Sequence, residues 1–101
     1  RPYNVALIVL DPEAAAAWAQ RNGLADPSPA AVAADERAKA EIAEAVDRAN
    51  RRLARVEQIK RYHVLPDVWL PGGEELTPTM KLKRKPIEEK YAEVIEALYA
   101  G

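Results

Sequence analysis

The stretch YNVALIVL, residues 3–10, decides the fold class, because six consecutive apolar residues place non-polar side chains on both of its alternating faces. A strand that is apolar on both faces is typical of the interior of a sheet. The run is far shorter than the ~20 residues needed to cross a bilayer. We therefore predict a buried strand. Because Arg1 and Pro2 are its only lead-in, we expect the strands that pair with it to lie upstream, in polypeptide outside this sequence.

Helix signals follow this strand directly. Asp11 can cap a helix, Pro12 suits the first helical position and Gly23 offers a left-handed stop, so we predict a helix over residues 12–22. Trp18 is the large apolar side chain of this helix. We expect Trp18 in the core, packed against the sheet.

Two further helical segments are predicted before the next strand. Residues 25–34 form a linker rich in proline and alanine, with one helical turn opened by Ser28 and Pro29. From about Glu36 to Gln58, apolar residues recur at spacings of three or four, which predicts one long helix with a buried face. The residues of that face are Ala38, Ile42, Ala45, Ala49, Leu53 and Val56. Four arginines lie late in this helix and suit its dipole as solvated residues, with a polyanion site as the alternative.

Strand and turn signals dominate the last third of the chain. We predict strands from Ile59 to Leu65 and over residues 68–70, a turn at residues 71–73 and an extended segment over residues 75–79. Pro86 is predicted as the first residue of a final helix that Gly101 follows. The apolar stripe of that helix consists of Ile87, Tyr91, Val94, Ile95 and Leu98. The fold is therefore predicted to be α+β, a small mixed sheet of short strands packed with about three helices.

Composition excludes several kinds of site. The chain has 101 residues, a net charge of -1, no cysteine and one histidine, His63. One domain is expected, without disulfides, thiolate chemistry or a histidine metal cluster. His63 is interpreted as a strand residue without a catalytic role. Glu74 and Glu75 are interpreted as a solvated turn exit rather than a cation site, because neighbours in a strand point to opposite faces. No signal-peptide pattern opens the chain, and a cytoplasmic location fits.

A cluster of four cations needs an explanation in a chain that is close to neutral. Lys81, Lys83, Arg84 and Lys85 fall in the predicted connection before the last helix. Clustered cations can bind nucleic-acid phosphates, but stacking aromatics and known nucleic-acid-binding patterns are lacking. A charged loop that keeps a sheet edge soluble is the simpler interpretation. A stand-alone interaction module that binds an acidic partner or nucleic acid through this loop is the alternative function.

The segment LTPTMKLKR, residues 76–84, preceded by WLPGGEE, residues 69–75, resembles the closing motif of long-chain fatty acyl-CoA synthetases. The rest of the chain agrees in order with the small C-terminal domain of this adenylate-forming family. The matching parts are the first strand with its Asp-Pro-Glu exit, the long helix with its segment RRLARVEQIK at residues 51–60, and the strand over residues 62–66.

The resemblance implies that residues 1–101 form the mobile C-terminal lid of a ligase whose large N-terminal domain is absent from this sequence. Such enzymes use ATP to convert a fatty acid to acyl-AMP with release of pyrophosphate, and then form acyl-CoA from coenzyme A. ATP, coenzyme A and Mg²⁺ are expected to bind mainly to the N-terminal domain, which is the expected partner and the expected source of any membrane association. We expect the isolated lid to be inactive.

The catalytic lysine of the family maps onto Lys81, with Lys83 as the weaker alternative. By resemblance, the ammonium of Lys81 would stabilise the charge that builds during adenylation. The wider superfamily has glycine before this lysine, whereas this chain has Met80.

Overall fold

The computed structural model of the chain describes residues 3–100, so the predictions for Arg1, Pro2 and Gly101 lie outside the described residues. The elements, in chain order, are β1 (Asn4–Ile8), α1 (Pro12–Asn22), α2 (Pro29–Ala34), α3 (Glu36–Arg51), a 3₁₀-helix (Arg55–Glu57), β2 (Ile59–Val64), α4 (Arg84–Lys90) and α5 (Ala92–Ala100). This order confirms the α+β class. Among the described helices, none combines the length and the apolar character needed to cross a membrane.

The sheet consists of β1 and β2, which run parallel, with Ala6 opposite Tyr62 and Ile8 opposite Val64. One partner of β1 is therefore β2, downstream in this chain, and the expectation of further pairing with upstream polypeptide stays a prediction. α5 contacts both strands, yet residues 5–8 are only half-buried, so the prediction of a fully buried strand is wrong. Two strands with limited helix cover cannot enclose both faces of β1.

The predicted bounds of α1 are confirmed at both ends. Asp11 Oδ2 accepts a hydrogen bond from Ala14 N at 2.9 Å, and Gly23 ends the helix in the left-handed conformation with φ 71°. Trp18 is buried, as predicted, but its core partners lie on helices α2 and α3 rather than on the sheet. That core consists of Ala15, Trp18, Ala19, Val32 and Ala38. The indole Nε1 donates to Glu41 Oε2 on α3 at 2.6 Å, which satisfies its polar atom.

Helix α3 begins as predicted but ends at Arg51, seven residues before Gln58. The chain turns there because Asn50 is bonded to the start of β2. Asn50 Oδ1 accepts from Ile59 N at 2.8 Å, and Asn50 Nδ2 donates to the Ile59 carbonyl at 2.9 Å. The predicted buried face is confirmed only at its start, where Ala38 is buried and Ile42 is half-buried. The rest of that face is exposed, namely Ala45, Ala49, Leu53 and Val56, the last at 85%.

The C-terminal helix is two helices. α4 begins at Arg84, which makes Pro86 its third residue rather than its first, and it ends at Lys90, with Tyr91 between it and α5. With α2 also helical, the described residues hold five α-helices where about three were predicted. Tyr3 Oη donates to the Tyr99 carbonyl at 2.9 Å, which ties the chain before β1 to the last turn of α5.

Candidate functional site

A tight hairpin turn presents the first cation of the basic segment. Leu76 and Leu82 form an isolated antiparallel bridge. Between them, Met80 N donates to the Thr77 carbonyl, and Thr77 N donates to the Lys81 carbonyl, both at 2.9 Å. Lys81 N also donates to Thr77 Oγ1 at 3.0 Å. This is the three-residue hairpin loop whose last position is left-handed, and it fixes the backbone of Lys81 by two hydrogen bonds.

The predicted extended segment over residues 75–79 is wrong beyond Thr77, because the chain reverses at Pro78 and Thr79. Proline suits the first central position of such a turn, since its ring presets φ. The threonine hydroxyl at residue 77 then closes the turn from the side chain. The predicted strand at residues 68–70 is also irregular in the structure.

Met80 occupies the left-handed position of this turn, with φ 65°. Within residues 3–100 it is the one residue other than glycine with a positive φ. The left-handed conformation costs a residue with a Cβ atom about 1–2 kcal/mol. The side chain is nevertheless 64% exposed, so little burial in this chain offsets that cost.

The two candidate lysines have different surroundings. Lys81 is exposed, and its ammonium has no hydrogen-bond or ion-pair partner among the described residues. Lys83 is half-buried, and its Nζ donates to the Gly73 carbonyl at 2.9 Å. Its backbone N donates to the Glu75 carbonyl at 2.8 Å. Lys83 therefore joins the hairpin to the preceding turn, whereas the ammonium of Lys81 is available to a ligand.

The turn that receives Lys83 is the predicted one. Gly73 N donates to the Leu70 carbonyl at 3.0 Å, and Gly72 has φ 80°. Pro71 and a left-handed Gly72 are the residues that a type II turn favours at its two central positions. The other two cations, Arg84 and Lys85, lie in the first turn of α4, so the prediction that all four are in the connection is wrong for them.

A buried carboxylate supports the base of the hairpin. Glu75 is only 5% exposed, and its Oε2 accepts from Lys90 Nζ at 2.6 Å. Glu74 Oε2 lies 3.3 Å from the same ammonium. The hydrogen bond to Glu75 is the main cause that raises the pKa of Lys90 above its ordinary value. The interpretation of the two glutamates as a solvated turn exit is therefore right for Glu74 and wrong for Glu75.

Tyr91, at the junction of α4 and α5, joins three segments. Its hydroxyl donates to Asp67 Oδ2 at 2.6 Å, accepts from Trp69 Nε1 at 3.0 Å and lies 3.3 Å from Glu75 Oε2. Burial first, and then the hydrogen bond to Asp67, raises the pKa of Tyr91 to about 12. The phenol therefore stays neutral and holds the segment before the hairpin against the C-terminal helices.

Sequence reasoning missed this network. Lys90 and Glu75 are fifteen positions apart, and the contact exists only because the hairpin returns the chain to its base. Tyr91 was expected only as part of an apolar stripe. The sequence feature that could have predicted a polar contact here is the tyrosine in that apolar stripe, since a buried tyrosine hydroxyl usually has a hydrogen-bond partner.

Residues 3–100 contain no group of three or more histidine, aspartate or glutamate side chains that could hold a metal ion. Glu74 and Glu75, the acidic neighbours nearest the hairpin, are both engaged with Lys90. His63 lies exposed on β2, in agreement with its interpretation as a strand residue.

The comparisons with known proteins agree on one family. Residues 1–101 match the model of the AMP-binding enzyme C-terminal domain. The chain is 53% identical over 101 residues to a putative fatty-acid–CoA ligase of Mycobacterium tuberculosis. It is 44% identical over 100 residues to a long-chain-fatty-acid–CoA ligase of the same species, and 31% identical over 102 residues to long-chain-fatty-acid–CoA ligase 6 of Homo sapiens.

These matches cover 98–100% of this chain but only 14–18% of each relative, so the chain spans less than a fifth of the length of the curated proteins that it matches. No solved structure matches the chain. Because the family model covers every residue, the chain belongs to the family of AMP-binding enzyme C-terminal domains.

Proposed function

We propose that this chain is the C-terminal lid domain of an ATP-dependent, AMP-forming fatty-acid–CoA ligase. The proposal rests on the family and on the relatives, which are named as fatty-acid–CoA ligases. A large N-terminal domain would bind ATP and the fatty acid, and the lid would close over them. Closure of a lid excludes water, which protects an acyl-adenylate from hydrolysis.

Lys81 is the catalytic residue that this domain supplies. The observation that carries this assignment is the contrast between an exposed, unpartnered ammonium on Lys81 and the bonded ammonium of Lys83. In adenylation, a carboxylate oxygen of the fatty acid attacks the α-phosphorus of ATP, and the bond to pyrophosphate breaks. The ammonium keeps its proton, reduces the repulsion between the two anions and stabilises the charge that builds on the phosphoryl oxygens.

The hairpin suits this role. Both backbone hydrogen bonds of Lys81 go to Thr77, so the Cα atom is held while the flexible stem remains free to reach a substrate. The Glu75, Lys90 and Tyr91 contacts fix the base of the hairpin to the C-terminal helices. A rigid base with one mobile cation is an arrangement that a closing lid can deliver to a reaction centre.

Mg²⁺ is not assigned to this domain. The described residues offer no set of three acidic or histidine ligands, and the glutamates beside the hairpin bind Lys90 instead. ATP and coenzyme A enter as substrates of the whole enzyme, with contacts that the N-terminal domain mainly supplies.

The test separates the two half-reactions in the full-length ligase. Lys81→Ala should lower the rate of adenylation, measured as pyrophosphate release without coenzyme A, by about 10²–10³-fold. Thioester formation from preformed acyl-adenylate should change little. Lys83→Ala is the matched control, and it should spare adenylation relative to Lys81→Ala. Equal losses in both half-reactions for Lys81→Ala would make this lysine structural, and a larger adenylation defect in Lys83→Ala would reassign the role to Lys83.

A second measurement concerns the chain by itself. The 101-residue protein should form no acyl-AMP from a fatty acid and ATP, because the proposed site is completed by the N-terminal domain. Detectable turnover by the pure chain would contradict the proposal that it is only a lid.

A further inference from the structure

Met80 combines three properties that a turn residue rarely has together. It is left-handed with φ 65°, it is apolar, and its side chain is 64% exposed. Glycine takes the same conformation without steric cost, and asparagine tolerates it. A strained residue at an exposed turn therefore points to a use for its side chain.

The chain itself provides little compensation for this conformation. Met80 borders an open apolar groove that Leu76 and Leu82 also line, but most of its surface remains accessible. Leu82, on the other arm of the hairpin, is similarly exposed at 57%, yet it has no positive φ. Leu82 is therefore a control for Met80: it is an exposed apolar residue of the same hairpin, but its backbone is not strained.

The position of Met80 is tied to that of Lys81. Adjacent Cα atoms are about 3.8 Å apart, and hydrogen bonds to Thr77 hold the backbone of both residues. The methionine and lysine side chains are both long and unbranched. Because both side chains are flexible, the Met80 thioether can adopt a rotamer that brings it within a few ångströms of an anion bound to the Lys81 ammonium.

We propose that Met80 is a specificity-determining residue that contacts the acyl chain at the carbons next to the carboxylate. This inference rests on the proposed role of Lys81, which brings the ammonium to the fatty-acid carboxylate. The atoms that follow the carboxylate are alkyl carbons, and a flexible, polarisable thioether packs well against them. A side chain at this place restricts the space for a branch at carbon 2.

The experiment uses the full-length ligase, a straight-chain fatty acid and its 2-methyl analogue. Met80→Gly removes the side chain and the strain, and Met80→Ala removes most of the side chain but keeps the strain. Both variants should raise kcat/KM for the 2-methyl acid relative to the straight acid by about tenfold, the effect of one carbon in an apolar site. Leu82→Ala is the matched control and should leave this ratio unchanged.

Each outcome has a distinct meaning. An unchanged ratio in both Met80 variants overturns the inference. A rise in KM for ATP and for both acids by one common factor also overturns it, because that result places Met80 against the N-terminal domain. If Lys81→Ala loses adenylation while the Met80 ratio stays constant, this inference alone fails. If Lys81→Ala retains adenylation, the proposed role of Lys81 fails as well.

Discussion

The hydroxyl of Tyr91 lies 2.6 Å from the carboxylate of Asp67, and this contact is made 24 positions apart in the sequence. The same hydroxyl accepts the Trp69 indole N–H, so one oxygen atom serves as donor and as acceptor. Because Tyr91 is buried, removal of its hydroxyl leaves the Asp67 carboxylate and the Trp69 indole N–H without this partner.

We therefore expect Tyr91→Phe to lower the free energy of unfolding of the 101-residue chain by about 1–3 kcal/mol, the cost of unsatisfied buried polar groups. Urea unfolding followed by circular dichroism measures the change. Tyr62→Phe is the matched control, because Tyr62 on β2 has no hydroxyl partner among the described residues. Equal stability of the two variants would show that the Tyr91 hydroxyl contributes nothing.

The raised pKa of Tyr91 predicts a stability loss in alkali. The folded chain holds the phenolic proton more tightly than the unfolded chain, whose tyrosines titrate near pH 10. The stability that the protonated Tyr91 phenol contributes is thus fully present below pH 10 and is lost as the pH rises through the folded pKa of about 12. The raised pKa of Lys90 acts in the same direction.

Absorbance at 295 nm measures the raised pKa itself, because it reports the ionisation of the four tyrosines. One phenol should ionise only near pH 12, and that late step should be missing in Tyr91→Phe. A late step that survives in this variant would assign the raised pKa to another tyrosine.

Backbone conformation predicts opposite effects at two left-handed positions. Met80→Gly removes the strain at φ 65° but makes the unfolded chain more flexible, so stability should rise by no more than about 1 kcal/mol. Gly23→Ala forces a Cβ atom into the same region of φ, and stability should fall by about 1 kcal/mol. A Cβ atom on Gly23 would meet no other atom within 4 Å, so only the backbone conformation is at issue. Thermal unfolding of both variants measures whether stability rises or falls. A loss of stability in Met80→Gly would contradict the strain assigned to Met80.

Two substitutions of Asn50, at the end of α3, should lower the free energy of unfolding by different amounts. Asn50→Ala removes both hydrogen bonds to Ile59 and should cost about 1–3 kcal/mol. Asn50→Asp keeps the acceptor for Ile59 N–H and loses only the donor to the Ile59 carbonyl. Its free energy of unfolding, measured in urea, should lie between those of the wild type and Asn50→Ala. An alanine variant as stable as the wild type would show that the turn does not depend on this side chain.

Local signals predicted the elements whose ends are set by neighbours in sequence. Asp11 and Gly23 fix the ends of α1, and Ser28 caps α2 with a hydrogen bond from Ala31 N at 3.2 Å. The turn at Pro71 and Gly72 was predictable for the same reason, because φ preferences belong to single residues.

Features that depend on distant residues were not predictable from the sequence. The apolar spacing continues past Arg51, but the Asn50 contacts with Ile59 end α3, and one sequence does not reveal such a tertiary contact. Glu75 was expected in solvent because its ammonium partner is supplied by α4. At the candidate site, Lys81 followed from a family resemblance, whereas the Tyr91 network joins residues that are distant in the sequence and was not predictable from it.

The parallel pairing of β1 with β2 has a consequence for synthesis on the ribosome. Asn4 is paired with Ile59, 55 positions later, and no closer segment in the described chain pairs with β1. At about 5–20 residues per second, translation supplies the missing strand some 3–11 seconds after β1. During that interval the apolar residues of β1 lack their native partner, and an unpaired apolar strand of this kind is exposed to aggregation and to chaperones.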